Sequence, residues 1–283
     1  MAKKIGFVIV NYNDSKETIK LINNIKDYKC IDKIVIVDNN SSDNSFDVLS
    51  KYKNKKVDVI KNKSRHYSSG LNFGAKYLID KLGECNIFFS NSDIIIDKED
   101  DILSLSNTIN NDVVVVGPTI KEHNNLNRGW KLPGTNHEIC NNLILISRLF
   151  RKRLLYSDNH YVGDTSYVDT VSGCFFCVNS AFLKKVDYFD ENTFLYYEEQ
   201  ILACKVKNAN KHEVINNKIS VIHNHSVTID KSVKRINKHK ILKESQRYFC
   251  KNYRNANSLQ MFLLYITDKI FLFFLHIRAI FSK

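Results

Sequence analysis

The feature that most limits what this chain can become is an alternation. Short, continuously apolar runs at residues 5–10, 33–37, 57–60, 86–89 and 113–116 alternate with polar turns and stretches of helical spacing. Ile19, Ile22 and Ile25 recur at such a spacing after the first run. Leu71, Ala75, Leu78 and Leu82 share one face of a helix expected over 68–82. A strand that is apolar at every position must be buried on both faces, and strands separated by helices pair in parallel. The expectation is an α/β fold, Rossmann-like, with a mostly parallel sheet covered by helices. In such sheets ligands bind beyond the carboxyl ends of the strands.

The second half is less regular. It predicts a basic amphipathic helix over 141–155, a strand over 168–178, a helix from near Glu198, a strand over 214–223 and a helical tail from about 232. Ser42 or Asp43 is expected to cap the helix after the second strand. The division is a body of residues 1–230 and a tail of 231–283.

Polar residues gather where the strands should end: Asn11-Tyr12-Asn13, Asp38-Asn39-Asn40-Ser41-Ser42-Asp43 and Asn91-Ser92-Asp93. Carboxylates and amides there suit a base or ribose edge, but the same composition makes Asx turns and caps. Gly70 and Gly74 open the helix at 68, where backbone N–H groups can meet a diphosphate; an ordinary loop reads the same way. A carboxylate one residue from a second oxygen donor, as in Asn91-Ser92-Asp93, suits Mg2+ or Mn2+, or a surface turn. Adjacent Glu198 and Glu199 repel, which raises a carboxyl pKa toward general-base work, or they are acids at a helix N-terminus. His223 and His225 end a strand, where an imidazole can complete a metal site.

Taken in order, these motifs resemble the family-two inverting glycosyltransferases, in their rhamnosyltransferase-like branch with a GT-A fold. The residues carrying the resemblance are Val8-Ile9-Val10-Asn11-Tyr12-Asn13, Val37-Asp38-Asn39-Asn40-Ser41-Ser42-Asp43, Tyr67-Ser68-Ser69-Gly70-Leu71-Asn72-Phe73-Gly74 and Asn91-Ser92-Asp93. Val171-Ser172-Gly173-Cys174-Phe175-Phe176, Phe189-Asp190-Glu191, Phe194-Leu195-Tyr196-Tyr197-Glu198-Glu199 and Val221-Ile222-His223 follow. The resemblance implies that Asn11, Asn13, Asp38 and Asn39 hold the nucleoside of a UDP- or dTDP-sugar and that Gly70 and Asn72 lie near its diphosphate. It implies Asp93, Asn91 and His223 around a divalent cation, Glu199 as catalytic base, and Glu198 and Tyr197 in the acceptor region. The acceptor is expected to be a hydroxyl of a lipid-linked or surface saccharide. Two departures stand out: Ile201 replaces an acidic residue of the family's Glu-Glu-x-Asp-Leu pattern, and His66 stands where a glycine is common. Ile201 keeps open a non-catalytic nucleotide- or saccharide-binding scaffold.

Of the formal charge of +12, residues 231–283 carry +10, with twelve Lys/Arg against two Asp/Glu. A basic tail on a near-neutral body suggests an anionic partner for the tail. No nucleic-acid module is recognisable, which excludes that class and leaves an anionic membrane surface. Residues 259–281 are apolar enough in length to span a bilayer, but Asp268 and Lys269 each cost about 2.5–3.5 kcal/mol there against about 0.3–0.6 returned per Leu, Ile or Phe. A helix lying in the interface fits better. The remaining option is packing on the body or on a second subunit in a homodimer. Seven scattered cysteines suit a reduced, cytoplasmic protein, and Cys174 and Cys177, a lone CxxC in an apolar run, read as buried side chains. The run at 5–10 is too short for a signal-peptide core. The expected location is the cytoplasm, peripheral to the inner face of the cell membrane.

Overall fold

The computed structural model describes residues 3–122, 125–143, 147–224 and 231–281, with the side chains of 147–149, 231–235 and 275–281 outside that description. Four parallel strands form the first half of the sheet: β1 (Lys4–Asn11), β2 (Lys33–Asn39), β3 (Val57–Asn62) and β4 (Cys85–Ser90). Between them run α1 (Ser15–Ile25), α2 (Ser45–Ser50) and α3 (Tyr67–Leu82). The alternation of side chains along a strand explains the unbroken apolar runs. Phe7, Ile9, Ile34, Ile36 and Phe88 face one side with Leu21, Ile22 and Ile25 of α1, whereas Val8, Val35, Val37, Ile87 and Phe89 face the other with Leu71, Ala75 and Leu78 of α3. Both faces are buried, so neither needs polar residues.

The helix cap differs from expectation. Asn44 is the N-cap residue of α2, and Asp43 instead accepts the Ser45 N–H in an Asx turn.

Beyond β4 the sheet becomes mixed. β5 (Ile94–Ile95), α4 (Glu99–Thr108), β6 (Val113–Glu122) and β7 (Asn125–Asn127) follow, then α5 (Thr135–Asn142), α6 (Ser147–Leu154), β8 (Thr165–Val168), β9 (Phe175–Asn179), α7 (Ser180–Lys185), α8 (Glu198–Asn208) and β10 (His212–His223). The strand order is β3-β2-β1-β4-β9-β6-β10-β5, with β7 on β6 and β8 on β10. β9 is antiparallel to both its neighbours, and β6 and β10 are parallel.

Two expectations from the sequence are corrected here. The stretch 168–178 is two strands with different partners, because Thr170 leaves the sheet to pair with Trp130. The stretch 141–155 is not one helix: α5 ends at Asn142, Leu143 is extended, and the basic side chains Arg151, Lys152 and Arg153 sit in the last turn of α6. β6 also runs past Gly117-Pro118 to Glu122. Proline has no N–H for a ladder, and β10 accommodates it with a register shift between Asn216 and Ser220.

The tail forms two helices, α9 (Lys231–Tyr253) and α10 (Ser258–Phe281). They pack on the body: Phe249, Cys250 and Leu264 join Tyr197, Ile201 and Cys204 of the α8 region in a third apolar cluster. Asp268 is buried against His239 at 2.9 Å and Arg247 at 3.0 Å, so the charge that argued against a membrane span is paired inside the protein. Among the described residues no helix is long and apolar enough to cross a membrane. The outer face of α10 leaves Phe262, Tyr265, Ile270, Phe273 and Phe274 exposed.

Candidate active site

The site lies at the carboxyl ends of β1, β2 and β4. Asp93 follows β4, and the antiparallel pairing of His223 with Ile94 sets it beside the end of β10, where the Asn224 N–H also reaches the Asp93 carbonyl. As a result Asp93 Oδ1 and His223 Nε2 are 3.1 Å apart. The other ring nitrogen, Nδ1, is 2.9 Å from Glu122 Oε1. A carboxylate on the far nitrogen fixes the ring's orientation and tautomer, an arrangement common behind metal-binding histidines. Cys174 completes the group, since its Sγ and the ligand atoms of Glu122 and His223 lie within 4.8 Å of one another. Burial lowers the His223 pKa, but hydrogen bonds with Asp93, Cys174 and Glu122 outweigh it and raise the pKa to about 11. Such a concentration of anionic donors around one imidazole suits a divalent cation, which would replace the proton. Asp93 and His223 are the donors turned toward each other and fit that ion. Asn91 is engaged otherwise, accepting from the Tyr67 hydroxyl at 3.0 Å and donating its N–H to the Cys174 carbonyl. His225 lies outside the described residues.

Glu199, in the first turn of α8, comes near the same group, since it and Asp93 and Cys174 all lie close enough to Tyr67 to act on its phenol. Its carboxylate rests on the Gly173 backbone N–H, and a Cβ on residue 173 would fall 2.3 Å from its Oε1. Gly173 thus touches Glu199 while the next residue, Cys174, touches His223. Tyr67 is buried between these groups; burial first, then Glu198, Glu199, Cys174 and Asp93, push its phenol pKa up. Burial raises Glu198 to about 8, with the Glu199 charge adding to it, and burial also raises Glu199. Glu198 itself points inward, accepting the Tyr196 N–H. Tyr197 is buried as well, its ring 5.2 Å from Phe249. Tyr196 and Tyr197 both hold positive φ, at 73° and 72°, a conformation that costs a non-glycine residue roughly 1–3 kcal/mol.

The residues read as nucleoside contacts form a connected polar floor. Asn11 donates to Asp38 Oδ1 and Ser41 Oγ, and Asp38 Oδ2 accepts the Ser41 N–H. Asn39 spans His66 O and the Asn62 amide. These three are buried. Asn13 is exposed, in the left-handed region at φ 52°, and holds Ser42. Gly70 and Asn72 face the interior. The Gly70 N–H goes to His66 O, and a Cβ there would meet Asn39 Oδ1 at 2.9 Å, so the glycine lets α3 lie on β1 and β2. Asn72 exchanges hydrogen bonds with the Phe189 backbone and reaches Glu191. His66 bonds Glu191 O, tying the same two segments together.

Sequence reasoning missed Asp14, which accepts from Ser92 Oγ, as well as Glu122, Tyr67 and the role of Gly173. It also passed over Tyr12, exposed at the end of β1 with the Arg65 guanidinium 5.7 Å from its ring. Glu122 was findable as one more acid at the end of an apolar strand, had β6 been traced past Pro118. Ile201 is explained by the fold, because it lies in the apolar seam beneath α9 and α10, where an acid would be buried without water.

Comparison with known proteins gives this geometry a family. Residues 7–184 match the model described as Glycosyl transferase family 2. The low-salt glycan biosynthesis hexosyltransferase Agl10 of Haloferax volcanii is 23% identical over 230 residues, 80% of this chain and 69% of its own length. Among solved structures, mannosyltransferase PcManGT from Pyrobaculum calidifontis, in complex with GDP-Man and Mn2+, superposes with a TM-score of 0.61 at 12% identity, covering 94% of this chain and 69% of that one. GalNAc-T7 with UDP, GalNAc and Mn2+ gives 0.60 at 14% identity and 78% coverage of this chain, which spans 44% of its length. At these identities the structural likeness speaks for the fold, which is GT-A as the resemblance implied. A family model covering more than half of the sequence, on a fold whose strand ends carry the expected clusters, settles the assignment: the chain belongs to glycosyl transferase family 2.

Proposed function

We propose that this protein is an inverting, divalent-metal-dependent glycosyltransferase of the rhamnosyltransferase-like branch. It transfers a hexose from a UDP- or dTDP-sugar to a hydroxyl of a lipid-linked or surface saccharide. The observation that carries the reading is that Asp93, His223 and Glu199, from three separate parts of the chain, gather around Gly173-Cys174 and Tyr67.

Asn11, Asp38 and Asn39 shape the nucleoside end, and Asn13 and Tyr12 supply its exposed surface. Asp93 and His223 would hold a divalent cation, whose chemistry would be to supply positive charge to the leaving diphosphate. Glu199 takes the proton of the attacking acceptor hydroxyl, a transfer that in general is worth roughly 10²- to 10⁴-fold in rate. Glu198, at a pKa of about 8, stays protonated at neutral pH and leaves the negative charge on Glu199. The scaffold alternative rested on Ile201; its burial under the tail accounts for an apolar residue at that position, and loss of turnover in Glu199→Gln is what separates an enzyme from a scaffold.

Thermal stabilisation by a panel of sugar nucleotides, with Mn2+ or with chelator, tests the donor and the metal together. The expected result is stabilisation by UDP- or dTDP-sugars only with metal, lost in His223→Ala and kept in Glu199→Gln, which binds donor without turnover. A flat response across every donor would end the proposal.

A further inference from the structure

A second cleft, of about 560 Å3, opens beside the site and is lined by Arg128, Trp130, Arg151, Leu155, Tyr156 and Tyr161. Its volume falls within the range of small-molecule sites, roughly 300–1,000 Å3. None of the motifs that carry the family resemblance lies between residues 94 and 170, so these residues have no part in the chemistry described so far.

Two stretches of paired backbone connect this cleft to the candidate active site. On one side, Asn125 at its rim pairs with Glu122, the residue that holds His223. On the other, Trp130 exchanges two 3.0 Å backbone hydrogen bonds with Thr170, three residues before Gly173. Three residues reach at most about 11 Å. A saccharide whose terminal hydroxyl faces Glu199 can therefore rest its next unit here.

The lining combines two chemistries. Trp130, Tyr156 and Tyr161 line it with aromatic rings, which suit the apolar C–H face of a pyranose; Tyr156 is held by stacking on His160 at 4.2 Å and by the Asp169 N–H, and the Tyr161 hydroxyl donates to the Arg128 carbonyl. The Arg128 guanidinium lies 4.2 Å from the Tyr161 ring centroid and pairs with Asp158. Asp158 lines the cleft as well and offsets Arg128, which leaves Arg151 as the lining cation with no ion pair among the described residues. Guanidinium groups on rigid supports bind phosphate in a forked geometry.

We infer that this cleft is an acceptor subsite for a saccharide bearing a phosphate ester. The inference rests on the glycosyltransferase reading above and names the class of its acceptor.

Trp130 is the sole tryptophan in the sequence, so its fluorescence reports on the cleft directly. The full chain is titrated with glucose, galactose and N-acetylglucosamine 1-phosphates, with the matching methyl glycosides, and with inorganic phosphate. A saturable change is expected with at least one sugar phosphate, with binding at least about tenfold weaker for its methyl glycoside and for phosphate alone. Arg151→Gln, an exposed change that leaves the fold alone, weakens the sugar phosphate about tenfold. Metal-dependent donor stabilisation is measured on the same sample. Donor binding with no tryptophan response to any sugar phosphate overturns the subsite and leaves the enzyme reading standing. A response to UDP that is lost in Arg151→Gln overturns it too, by making the cleft the donor's. Absence of donor stabilisation overturns the reading on which the inference rests.

Discussion

Glu198, buried, and Glu199, half-buried, are adjacent and both raised in pKa, yet they face different neighbours. The pair holds one proton across the neutral range, and Glu199, lying on backbone N–H groups, keeps the charge. The rate should then rise with pH along a limb above the ordinary glutamate range near 4.3. Because burial alone raises Glu199 and Glu198 is still protonated when Glu199 ionises, Glu198→Gln should leave that limb in place in a kcat/KM profile; a limb that moved to lower pH would show that Glu198 carries charge there. Stability responds differently. A carboxyl whose folded pKa is raised contributes stability below its unfolded pKa and loses it as pH climbs through about 8. Relative to the parent, Glu198→Gln should therefore gain stability progressively from the ordinary glutamate range up to about pH 8 and no further above it. Gly173→Ala makes a sharper test of geometry. Its methyl would meet Glu199 Oε1, Cγ and Cδ at 2.3, 2.6 and 2.7 Å, so the whole carboxylate arm must move. A displacement near 1 Å costs roughly 10²-fold in rate. Steady-state kinetics should show kcat falling by about that factor, and a donor-induced rise in Tm that is kept shows that the variant is folded and binds donor.

At the scale of elements, α9 clamps the segment that carries the base. Ser245 Oγ bonds Leu195 O, Phe249 packs on Tyr197, and Tyr248 and Tyr253 both donate to Asp190 Oδ2. Together these contacts hold the two left-handed tyrosines in place. Burial opposes ionisation of Asp190, but hydrogen bonds from Tyr253, Asn192 and Tyr248 outweigh it and hold the carboxyl below its usual range. A depressed carboxylate contributes stability above its unfolded pKa and loses it as pH falls through the folded one. Tyr253→Phe should cost about 1.5–3 kcal/mol at neutral pH and progressively less as the pH falls below the ordinary aspartate range, by urea unfolding at neutral and strongly acid pH. An equal cost at both would show that Asp190 is not the partner that matters.

At the scale of the molecule, the tail has one face toward the body and one toward solvent. Leu264, Thr267, Asp268 and Leu272 are buried, while Phe262, Tyr265, Phe273 and Phe274 are exposed on a helix that follows the Lys/Arg-rich α9. We expect this face to rest on an anionic membrane surface, where apolar burial and charge attraction add. Vesicle sedimentation should recover the protein with phosphatidylglycerol vesicles and far less with phosphatidylcholine alone, and Phe262→Glu with Phe273→Glu should abolish the difference. Equal recovery of that double variant would point away from α10 as the contact.

Local pattern determined the parallel half of the fold. A strand buried on both faces must be apolar throughout, and a polar cluster directly after it must lie at the sheet's carboxyl edge, so Asn11, Asp38 and Asp93 could be placed without coordinates. The same logic placed Glu199 at a helix start and His223 at a strand end. What joined them was not local. Asp93 meets His223 through an antiparallel pairing across more than a hundred residues, Glu122 arrives only because β6 continues past a proline, and Gly173 matters for a carboxylate twenty-six positions away. Ile201 and Asp268 looked anomalous until the tail was seen to fold back, burying the first against Phe249 and Leu264 and pairing the second with His239 and Arg247. Hydrophobic periodicity is set by each element's own geometry, whereas the partner of a buried charge, or the neighbour that forbids a side chain, depends on which distant segments pack against it.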